Sequence, residues 1–304
     1  MSNLDPQGLQ AFIAVAETQS FSAAAEKLHI TQPAVSKRIA LLESQLDCKL
    51  FDRIRRKVFL TEAGNTLVPR ARNILLELNA TQQAIRDLDK HVTGKLAIAF
   101  SHHIGLHRLP PFLQQFTQQY PQVELDIAFI DSEHAYAEIN EGRREIAVVT
   151  LSPEQSPHIA STKLWRDPLV FVCSPNHPMH LRDNVSLQEL SGYDSILPGP
   201  STYTGKIIAE LFAQQNLPTP TGMTTNYLET IRMMVSIGLG WSVLPKTMIA
   251  DLEQIHVPDT YIERQLGIIE YKDRERSNAC RAFCSTLTGN TLTGTPNGFV
   301  PPLA

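Results

Sequence analysis

This 304-residue chain begins with two successive short amphipathic segments. They predict a small helical domain at its N-terminus. Asp5 and Pro6 predict a helix start, because Asp caps helices and proline is tolerated in the first turn. The apolar face of this helix recurs at i, i+3, i+4 and i+7 and comprises Leu9, Phe12, Ile13 and Ala16. We expect residues 18–20 to break the helix and Ser22 to cap a second one ending at Leu28.

A third helix is predicted after a turn at His29 and Ile30, with Thr31 as its cap and Pro33 in its first turn. Its inward face comprises Val35, Ile39, Leu42 and Leu46. Gln32, Ser36 and Lys37 then point outward near the helix start, where a recognition helix carries the side chains that read bases. The alternative is an ordinary solvated face. The preceding two helices favour a helix-turn-helix that binds DNA.

A basic segment follows the third helix. Five cations alternate with apolar residues there: Lys49, Arg53, Arg55, Arg56 and Lys57. This alternation predicts a short β-hairpin, or wing, whose cations contact the phosphate backbone. A basic run is more often only a solvated surface. Its position directly after a recognition helix favours phosphate contact.

The whole segment resembles the N-terminal domain of LysR-type transcriptional regulators. The matching residues are Ser20-Phe21-Ser22, Ala24-Ala25, Leu28, Thr31 to Ser36, Ile39, Leu42-Glu43, Leu50-Phe51, Arg53 and Leu60 to Gly64. Asp47 stands where the family usually has glycine, and Asp tolerates the left-handed conformation better than most residues. The DNA-contacting residues are predicted to be Thr31, Gln32, Pro33, Ser36, Lys37, Arg38, Arg53, Arg55, Arg56 and Lys57.

A long helix is predicted after Thr61, which looks like an N-cap with Glu62 in the first turn. Its apolar positions are spaced by fours and threes: Leu67, Ala71, Ile74, Leu78, Thr81, Ile85, Leu88 and Val92. Such a seam is too long to be buried by a small winged domain. The resemblance implies a linker helix that pairs with the same helix of a second subunit. The alternative is a helix folded onto its own second domain.

The net charge differs in sign between the two predicted parts of the chain. Residues 1–93 hold 12 Lys and Arg against 10 Asp and Glu, and the remainder holds 15 against 21. The net charge of −4 would by itself argue weakly against a nucleic-acid partner. The asymmetry assigns DNA binding to the first part and another role to the second.

From Gly94 onward the sequence predicts alternating strands and helices. The strands are predicted at residues 96–100, 123–130, 146–149, 169–173 and 266–271, with another after Gly238–Pro245. The helices are predicted at residues 109–120, 135–141, 205–215, 227–237 and 279–287. This layout resembles the effector-binding domain of the same family, which implies the two-lobed fold of type 2 periplasmic binding proteins.

The predicted fold class is therefore α/β: an N-terminal winged helix-turn-helix, a long linker helix and a C-terminal two-lobed type 2 periplasmic-binding-protein-like effector domain. The predicted divisions are a DNA-binding domain at 1–60, a linker helix at 61–93 and an effector-binding domain at 94–304. Within the last, lobe I is expected at about 94–161 and 268–288, lobe II at about 162–267, and a mobile tail at 289–304.

Polar residues at the carboxyl ends of the predicted strands mark a candidate effector site, because ligands of open α/β sheets bind there. These residues, with a loop near residue 200, are Ser101, His102, Ser132, Thr150, Pro198, Ser201 and Thr202. Hydroxyls and helix ends suit a small carboxylate, an amino acid or an oxyanion. Each position alone is as often a helix cap as a ligand. Three roles stay open for His102: a group that titrates, a ligand contact, or a side chain that simply points to solvent.

No catalytic motif competes with this interpretation, so we expect no enzyme activity, no cofactor and no metal. His102 and His103 lack metal-site partners at diagnostic spacing, and the four cysteines form no metal or redox pattern. A peroxide-sensing thiol is a minor alternative. The polar, acidic first ten residues predict no secretory signal, and no apolar run predicts a membrane span.

The predicted protein is a cytoplasmic transcription factor. Its expected partners are double-stranded operator DNA, a small-molecule effector, RNA polymerase and further copies of itself, as a homodimer and, by resemblance, a homotetramer. One rival is a ligand-binding or enzymatic α/β protein whose N-terminal helices are only structural. Another is a DNA-bending protein without a ligand.

Overall fold

The computed structural model describes residues 4–54, 57–86, 92–154, 156–220, 222–272 and 274–289. Within these ranges a winged helical domain is followed by a long helix and a two-lobed α/β domain, which confirms the predicted fold class. Arg55, Arg56, Leu88 and the predicted tail from residue 290 onward lie outside the described residues.

The N-terminal domain has the three helices and the hairpin predicted from the sequence. In chain order they are α1 (Pro6–Thr18), α2 (Phe21–Lys27), α3 (Gln32–Leu46), β1 (Phe51–Ile54) and β2 (Lys57–Leu60). The inward residues Leu9, Phe12, Val35, Ile39 and Leu42 are buried. They form one apolar core that also receives Phe51 from the hairpin.

The helix caps differ in part from the prediction. Asp5 caps α1 as expected, since its Oδ1 accepts a hydrogen bond from the Gln7 backbone N at 3.2 Å. The cap of α2 is Ser20 and not Ser22, which lies inside the helix. Thr31 occupies the N-cap of α3 without a side-chain cap bond. Asp47 ends α3 in the left-handed region at φ 51°, so the expected turn is present without glycine.

The long helix α4 (Glu62–Arg86) begins where predicted, because Thr61 Oγ1 accepts a hydrogen bond from the Gly64 N at 3.0 Å. Its apolar seam is used in two ways. Ala71 is fully buried in the core of the N-terminal domain. Ile74, Leu78 and Ile85 are 39%, 39% and 64% exposed. The seam is therefore not one continuous surface, and only its later part is available to a partner helix.

Arg72 of α4 joins three parts of the chain. Its Nη2 lies 2.8 Å from Glu17 Oε1 of α1, and its Nη1 lies 2.6 Å from Glu141 Oε2 in the second domain. The side chain of Arg72 is only 9% exposed, so both ion pairs are largely screened from water. Nearby, Leu76 packs so closely on Gly142 that a Cβ on that glycine would lie 2.0 Å from Leu76 Cδ1. The linker helix thus contacts its own second domain, the alternative raised by the sequence.

The second domain is built on one mixed sheet. Its main elements are β3 (Gly94–Phe100), α5 (His102–His107), α6 (Pro110–Gln119), β4 (Val123–Phe129), α7 (Ser132–Asn140), β5 (Ile146–Thr150), β6 (Ile159–Cys173), α8 (Leu187–Leu190), β7 (Ile196–Leu197), α9 (Tyr203–Gln214), β8 (Met223–Thr224), α10 (Leu228–Ser236), β9 (Ser242–Pro245), β10 (Glu253–Ile255), β11 (Ile262–Tyr271) and α11 (Asn278–Thr288). The strand order is β10-β6-β11-β5-β3-β4, with β9 also on β6.

Two long antiparallel strands, β6 and β11, run through both lobes and join them. They pair from Ile262 with Leu169 to Tyr271 with Ile159, with a register shift at Leu266 and Gly267. Separate apolar cores lie at the two ends, one around Phe100 and Phe283 and the other around Phe212 and Trp241. The two-lobed arrangement follows from this crossing.

The prediction of the second domain was wrong or incomplete at several elements. Besides α5, the short elements α8, β7, β8 and β10 were not predicted. Helix α5 was missed, because residues 102–107 carry too little apolar periodicity to reveal one short turn of helix. The strand predicted at 169–173 begins ten residues earlier, at Ile159. Most residues of the segment between those positions are exposed or half-buried, although Asp167 is buried, and the segment pairs with β11 along its length. The strand expected after Pro245 is β9 itself, at Ser242–Pro245.

Arg72→Met should reduce the free energy of unfolding by about 1–3 kcal/mol, because it leaves two carboxylates without their shared cation while keeping an apolar stem. The loss should be smaller than for a fully buried pair, since both glutamates are partly exposed. Urea denaturation of the full-length chain measures it. Lys27→Met is the matched control, because Lys27 also binds Glu17 but is 54% exposed. Equal losses in the two variants would contradict the bridging role of Arg72.

Candidate DNA-binding surface and effector cavity

The start of α3 presents a polar surface to solvent. Thr31, Gln32, Pro33 and Lys37 are exposed, and Ser36 is partly exposed. Gln32 Nε2 donates a hydrogen bond to Ser36 Oγ at 2.8 Å, which orders both side chains on the same face of the helix. An amide and an ammonium held at the start of a helix are suited to the donor and acceptor groups of bases in the major groove.

Arg38 is placed differently from its neighbours. It is only partly exposed, and its Nη2 donates a hydrogen bond to Gln7 Oε1 of α1 at 2.7 Å. This contact turns its guanidinium along the junction between α1 and α3. Arg38 is therefore a weaker candidate for base reading than Gln32.

The wing has the expected antiparallel pairing, from Phe51 with Leu60 to Ile54 with Lys57. Arg55 and Arg56 lie outside the described residues, as do the side chains of Arg53 and Lys57. Lys49, at the base of the wing, has its Nζ 2.7 Å from Glu43 Oε2. The positive charge of Lys49 is therefore partly neutralised.

Glu43 connects the recognition helix to the wing. Its Oε1 accepts a hydrogen bond from the Leu50 N at 2.9 Å, in addition to the contact with Lys49. Burial tends to raise the pKa of this carboxyl, but the bonds from Lys49 and from backbone N–H groups outweigh it, so the pKa lies below its usual value. The charged form of Glu43 thus fixes the wing against α3.

A second polar site lies at the carboxyl ends of the parallel strands β3, β4 and β5. Strand β3 pairs with both of the others, so the three strand ends meet. The cavity at this edge is lined by six of the seven residues predicted from the sequence: Ser101, His102, Ser132, Thr150, Pro198 and Thr202. Ser201 is exposed and does not belong to this lining.

Two of the predicted hydroxyls also have structural roles. Ser132 Oγ accepts a hydrogen bond from the Thr150 N at 3.1 Å. Thr202 Oγ1 caps α9, accepting from the Gly205 N at 2.9 Å and donating to the Gly199 O at 2.7 Å. The His102 ring contacts Tyr227 edge to face, with centroids 5.0 Å apart. His102, the first residue of α5 in lobe I, therefore contacts the N-cap residue of α10 in lobe II.

The N-termini of four helices converge on the cavity, including that of α5, whose N-cap residue Ser101 lines it. The N-cap residues of α7 and α9 are Asp131 and Thr202, and both line it. Asn226 and Leu228 flank the N-cap of α10 and also line it. Helix N-termini carry backbone N–H groups and a partial positive charge, so their convergence favours an anionic group.

Arg264 is one of several residues of this cavity that the sequence analysis missed. Its side chain is 5% exposed, its Nε lies 2.7 Å from Asp167 Oδ2, and its Nη1 donates to Thr204 Oγ1 at 3.1 Å. Its Nη2 is buried without a hydrogen-bond partner among the described residues. Burial raises the pKa of Asp167, but the charge of Arg264 and bonds from Arg264 and Arg108 hold it below its usual value. No local pattern in the sequence marks this arginine.

The cysteines are mostly buried, as expected for unreactive thiols. Cys173, Cys280 and Cys284 are buried and Cys48 is partly exposed. Burial raises the pKa of Cys173 to about 11. Cys284 differs, because a hydrogen bond from Cys280 and the charge of Arg276 lower its pKa despite burial. The charged neighbour of Cys284 was not foreseen from the sequence.

A winged helix-turn-helix joined to a two-lobed domain with a polar cavity defines a DNA-binding protein with a ligand-sensing module. Residues 6–65 match the family model described as "Bacterial regulatory helix-turn-helix protein, lysR family". Residues 89–291 match the model described as "LysR substrate binding domain". The chain belongs to the LysR-type transcriptional regulators.

Individual relatives agree with this assignment. The transcriptional regulator CfxR of Cupriavidus necator is 31% identical over 306 residues, covering 96% of this chain and 95% of CfxR. A full-length OxyR variant of Pseudomonas aeruginosa has a TM-score of 0.69 at 23% identity and covers 94% of this chain and 98% of its own. Full-length CbnR complexed with its target DNA has a TM-score of 0.62 at 20% identity, covering 94% and 100%. The two structures show a shared fold.

Among the described residues, no helix is both long enough and apolar enough to cross a membrane.

Gln32→Ala should weaken binding to a specific operator by about 1–3 kcal/mol and binding to random DNA much less, because a base contact contributes only on the correct sequence. Fluorescence anisotropy with operator and scrambled duplexes at one salt concentration measures both affinities. Ser44→Ala, at an exposed polar position near the other end of α3, is the control. An equal loss on both duplexes would rule out base reading by Gln32.

Proposed function

We propose that this regulator is controlled by a small carboxylate, amino acid or oxyanion bound in the cavity between its two lobes. The presence of an effector-binding domain follows from the family match. The choice of effector class is supported by the chemistry of this particular cavity. The main support is the pairing of helix N-termini with one buried guanidinium N–H that lacks a partner among the described residues.

Arg264 gives the effector its principal contact. A buried N–H without a partner is costly, and a bond from a charged donor to an anion is among the stronger hydrogen bonds available. Asp167 already neutralises much of the arginine charge, so the cavity is polar and not strongly cationic. A singly charged group held by N–H and hydroxyl donors suits this environment better than a polyanion.

Two acidic residues in the same wall keep an amino acid among the effector classes. Asp131 Oδ2 accepts a hydrogen bond from Asn226 Nδ2 at 2.9 Å, and Glu133 accepts one from the Tyr203 N. Each carboxylate can accept further hydrogen bonds. A ligand with a carboxylate at Arg264 and an ammonium near Asp131 would satisfy both ends of the cavity.

The DNA-binding role is proposed for the residues predicted from the sequence. Thr31, Gln32, Pro33, Ser36 and Lys37 would contact the major groove, with Arg38 at its margin, and Arg53, Arg55, Arg56 and Lys57 would contact phosphates. The corresponding division is a DNA-binding domain at 1–60, a linker at 61–93 and an effector domain at 94–304. We expect the protein to act in the cytoplasm with RNA polymerase, as a regulator and not as an enzyme.

The effector assignment is tested by a thermal-shift screen of the full-length protein against small carboxylates, amino acids and oxyanions, since a ligand that binds the native state raises Tm. The best compound is then titrated by calorimetry. Ser101→Ala, Thr150→Val and Arg264→Gln should each weaken its binding at least about tenfold, because its polar groups lose their partners. The operator affinity of Ser101→Ala and Thr150→Val without ligand should stay near that of the wild type.

Arg166→Gln is the matched control, because Arg166 lies on β6 beside Asp167 but is 72% exposed and pairs with Glu263. Its ligand titration should equal that of the wild type. The two hydroxyl variants keep the test decisive if Arg264→Gln does not fold. Wild-type titrations in Ser101→Ala and Thr150→Val would show that the effector binds elsewhere.

The exposed later part of the linker seam supports a dimer. Ile74→Asp with Leu78→Asp should convert the dimer to monomer, because two charges would enter an apolar helix pair. Operator affinity should fall sharply, since one half-site contact replaces two. Sedimentation velocity measures the oligomeric state.

Leu181→Asp is the control for surface charge, since Leu181 is 87% exposed on lobe II. It should sediment as the wild type does. A double variant with an unchanged sedimentation coefficient would place the subunit interface outside this seam.

A further inference from the structure

We propose that His103, His107 and Glu229 form a binding site for a divalent transition-metal ion, with Zn²⁺ as the best match, that links the two lobes. The ligand atoms of these three residues all lie within 4.8 Å of one another. The two histidines belong to α5 of lobe I, and the glutamate belongs to α10 of lobe II. The site goes beyond effector binding, and its test needs no effector.

The spacing of the histidines suits a metal. Positions four residues apart lie on the same face of a helix, so His103 and His107 point the same way, with ring centroids 5.1 Å apart. Two imidazoles and a carboxylate are a common ligand set of zinc, which binds them at about 2.0–2.2 Å. In a tetrahedral site such ligand atoms are about 3.4 Å apart, so side-chain rotations of His107 and Glu229 would complete the site.

His103 provides an independent indication. Its side chain is 94% buried, and neither ring nitrogen has a hydrogen-bond partner among the described residues. An unsatisfied buried imidazole is rare and calls for a bound water or ion. Burial, with the charge of Arg264, lowers the pKa of His103 to about 3, so the ring is neutral and keeps a lone pair available to a metal.

The surroundings balance the charge of an added cation. Arg108 and Arg264 lie near His103 and would repel a metal, but both donate hydrogen bonds to Asp167. Asp167 Oδ2 lies 3.8 Å from His103 Nε2. After a small rotation of the ring, one ring nitrogen would donate a hydrogen bond to this carboxylate and the other would bind the metal. This is the usual arrangement around zinc-bound histidines.

The competing explanation is that His107 and Glu229 form only a hydrogen bond between the lobes. His107 Nε2 lies 2.8 Å from Glu229 Oε1, and the two side chains are 43% and 36% exposed. That contact accounts for His107 and Glu229 but not for the unpartnered, buried His103. A metal accounts for all three residues at once.

Zn²⁺ titration of the chelator-treated full-length protein, in competition with a chromophoric chelator, tests the site. We expect one tight equivalent per chain, and His107→Gln and Glu229→Gln should each weaken it at least about tenfold. Co²⁺ in place of Zn²⁺ should give the absorption spectrum of a tetrahedral site, which both variants should lose. His180→Gln is the control, because His180 faces Glu253 at 3.7 Å but belongs to no cluster of three metal-ligating side chains among the described residues.

A second measurement tests whether the metal joins the lobes. Saturating Zn²⁺ should raise the Tm of the wild type and of His180→Gln but not that of Glu229→Gln. His107→Gln and Glu229→Gln alter partly exposed side chains, so both variants should fold. A wild type that binds Zn²⁺ no more tightly than a variant lacking both His107 and Glu229 would overturn the proposal.

Discussion

The two-lobed domain depends on the buried ion pair between Asp167 and Arg264. These residues are direct cross-strand partners on β6 and β11, at the point where the chain passes between the lobes. Taking two charges out of water is expensive, and a buried pair recovers that cost only when its hydrogen bonds are satisfied. Asp167 meets this condition through Arg108 and Arg264, whereas Arg264 keeps one N–H without a partner among the described residues. The same pair therefore fixes the strand crossing and leaves a donor at the cavity, so stability and ligand chemistry are set by one contact.

Helix α7 connects the cavity to the DNA-binding domain by a short chain of contacts. Its N-terminal residue Ser132 lines the cavity, and Glu141, directly after its C-terminus, binds Arg72 of the linker helix. Arg72 in turn holds Glu17 on α1, next to the recognition helix. A helix is stiff along its axis, so movement of α7 at the cavity would change the geometry at Arg72. The Leu76 side chain packs directly against Gly142 at the same junction.

The N-terminal domain could be predicted from the sequence almost completely, and the cavity only in part. Local apolar periodicity, carried by residues such as Leu9, Phe12 and Val35, predicts these helices without any knowledge of the rest of the chain. The strand-end hydroxyls Ser101 and Thr150 were found because parallel strands end at a common edge. Arg264 and Glu229 were not singled out, because β11 and α10 come to this region from distant parts of the chain. The spacing of His103 and His107 was a usable signal, but it gains meaning only once α5 is known to be a helix.

The contacts that hold the lobes together around the cavity are mostly exposed. Asn226 bonds Asp131 and His107 bonds Glu229 across the cleft, each between partly exposed side chains. Exposed polar pairs of this kind contribute little, about 0–1 kcal/mol each. A ligand that bridges both lobes inside the cavity shifts the balance between open and closed lobes by the difference between its affinities for the two states.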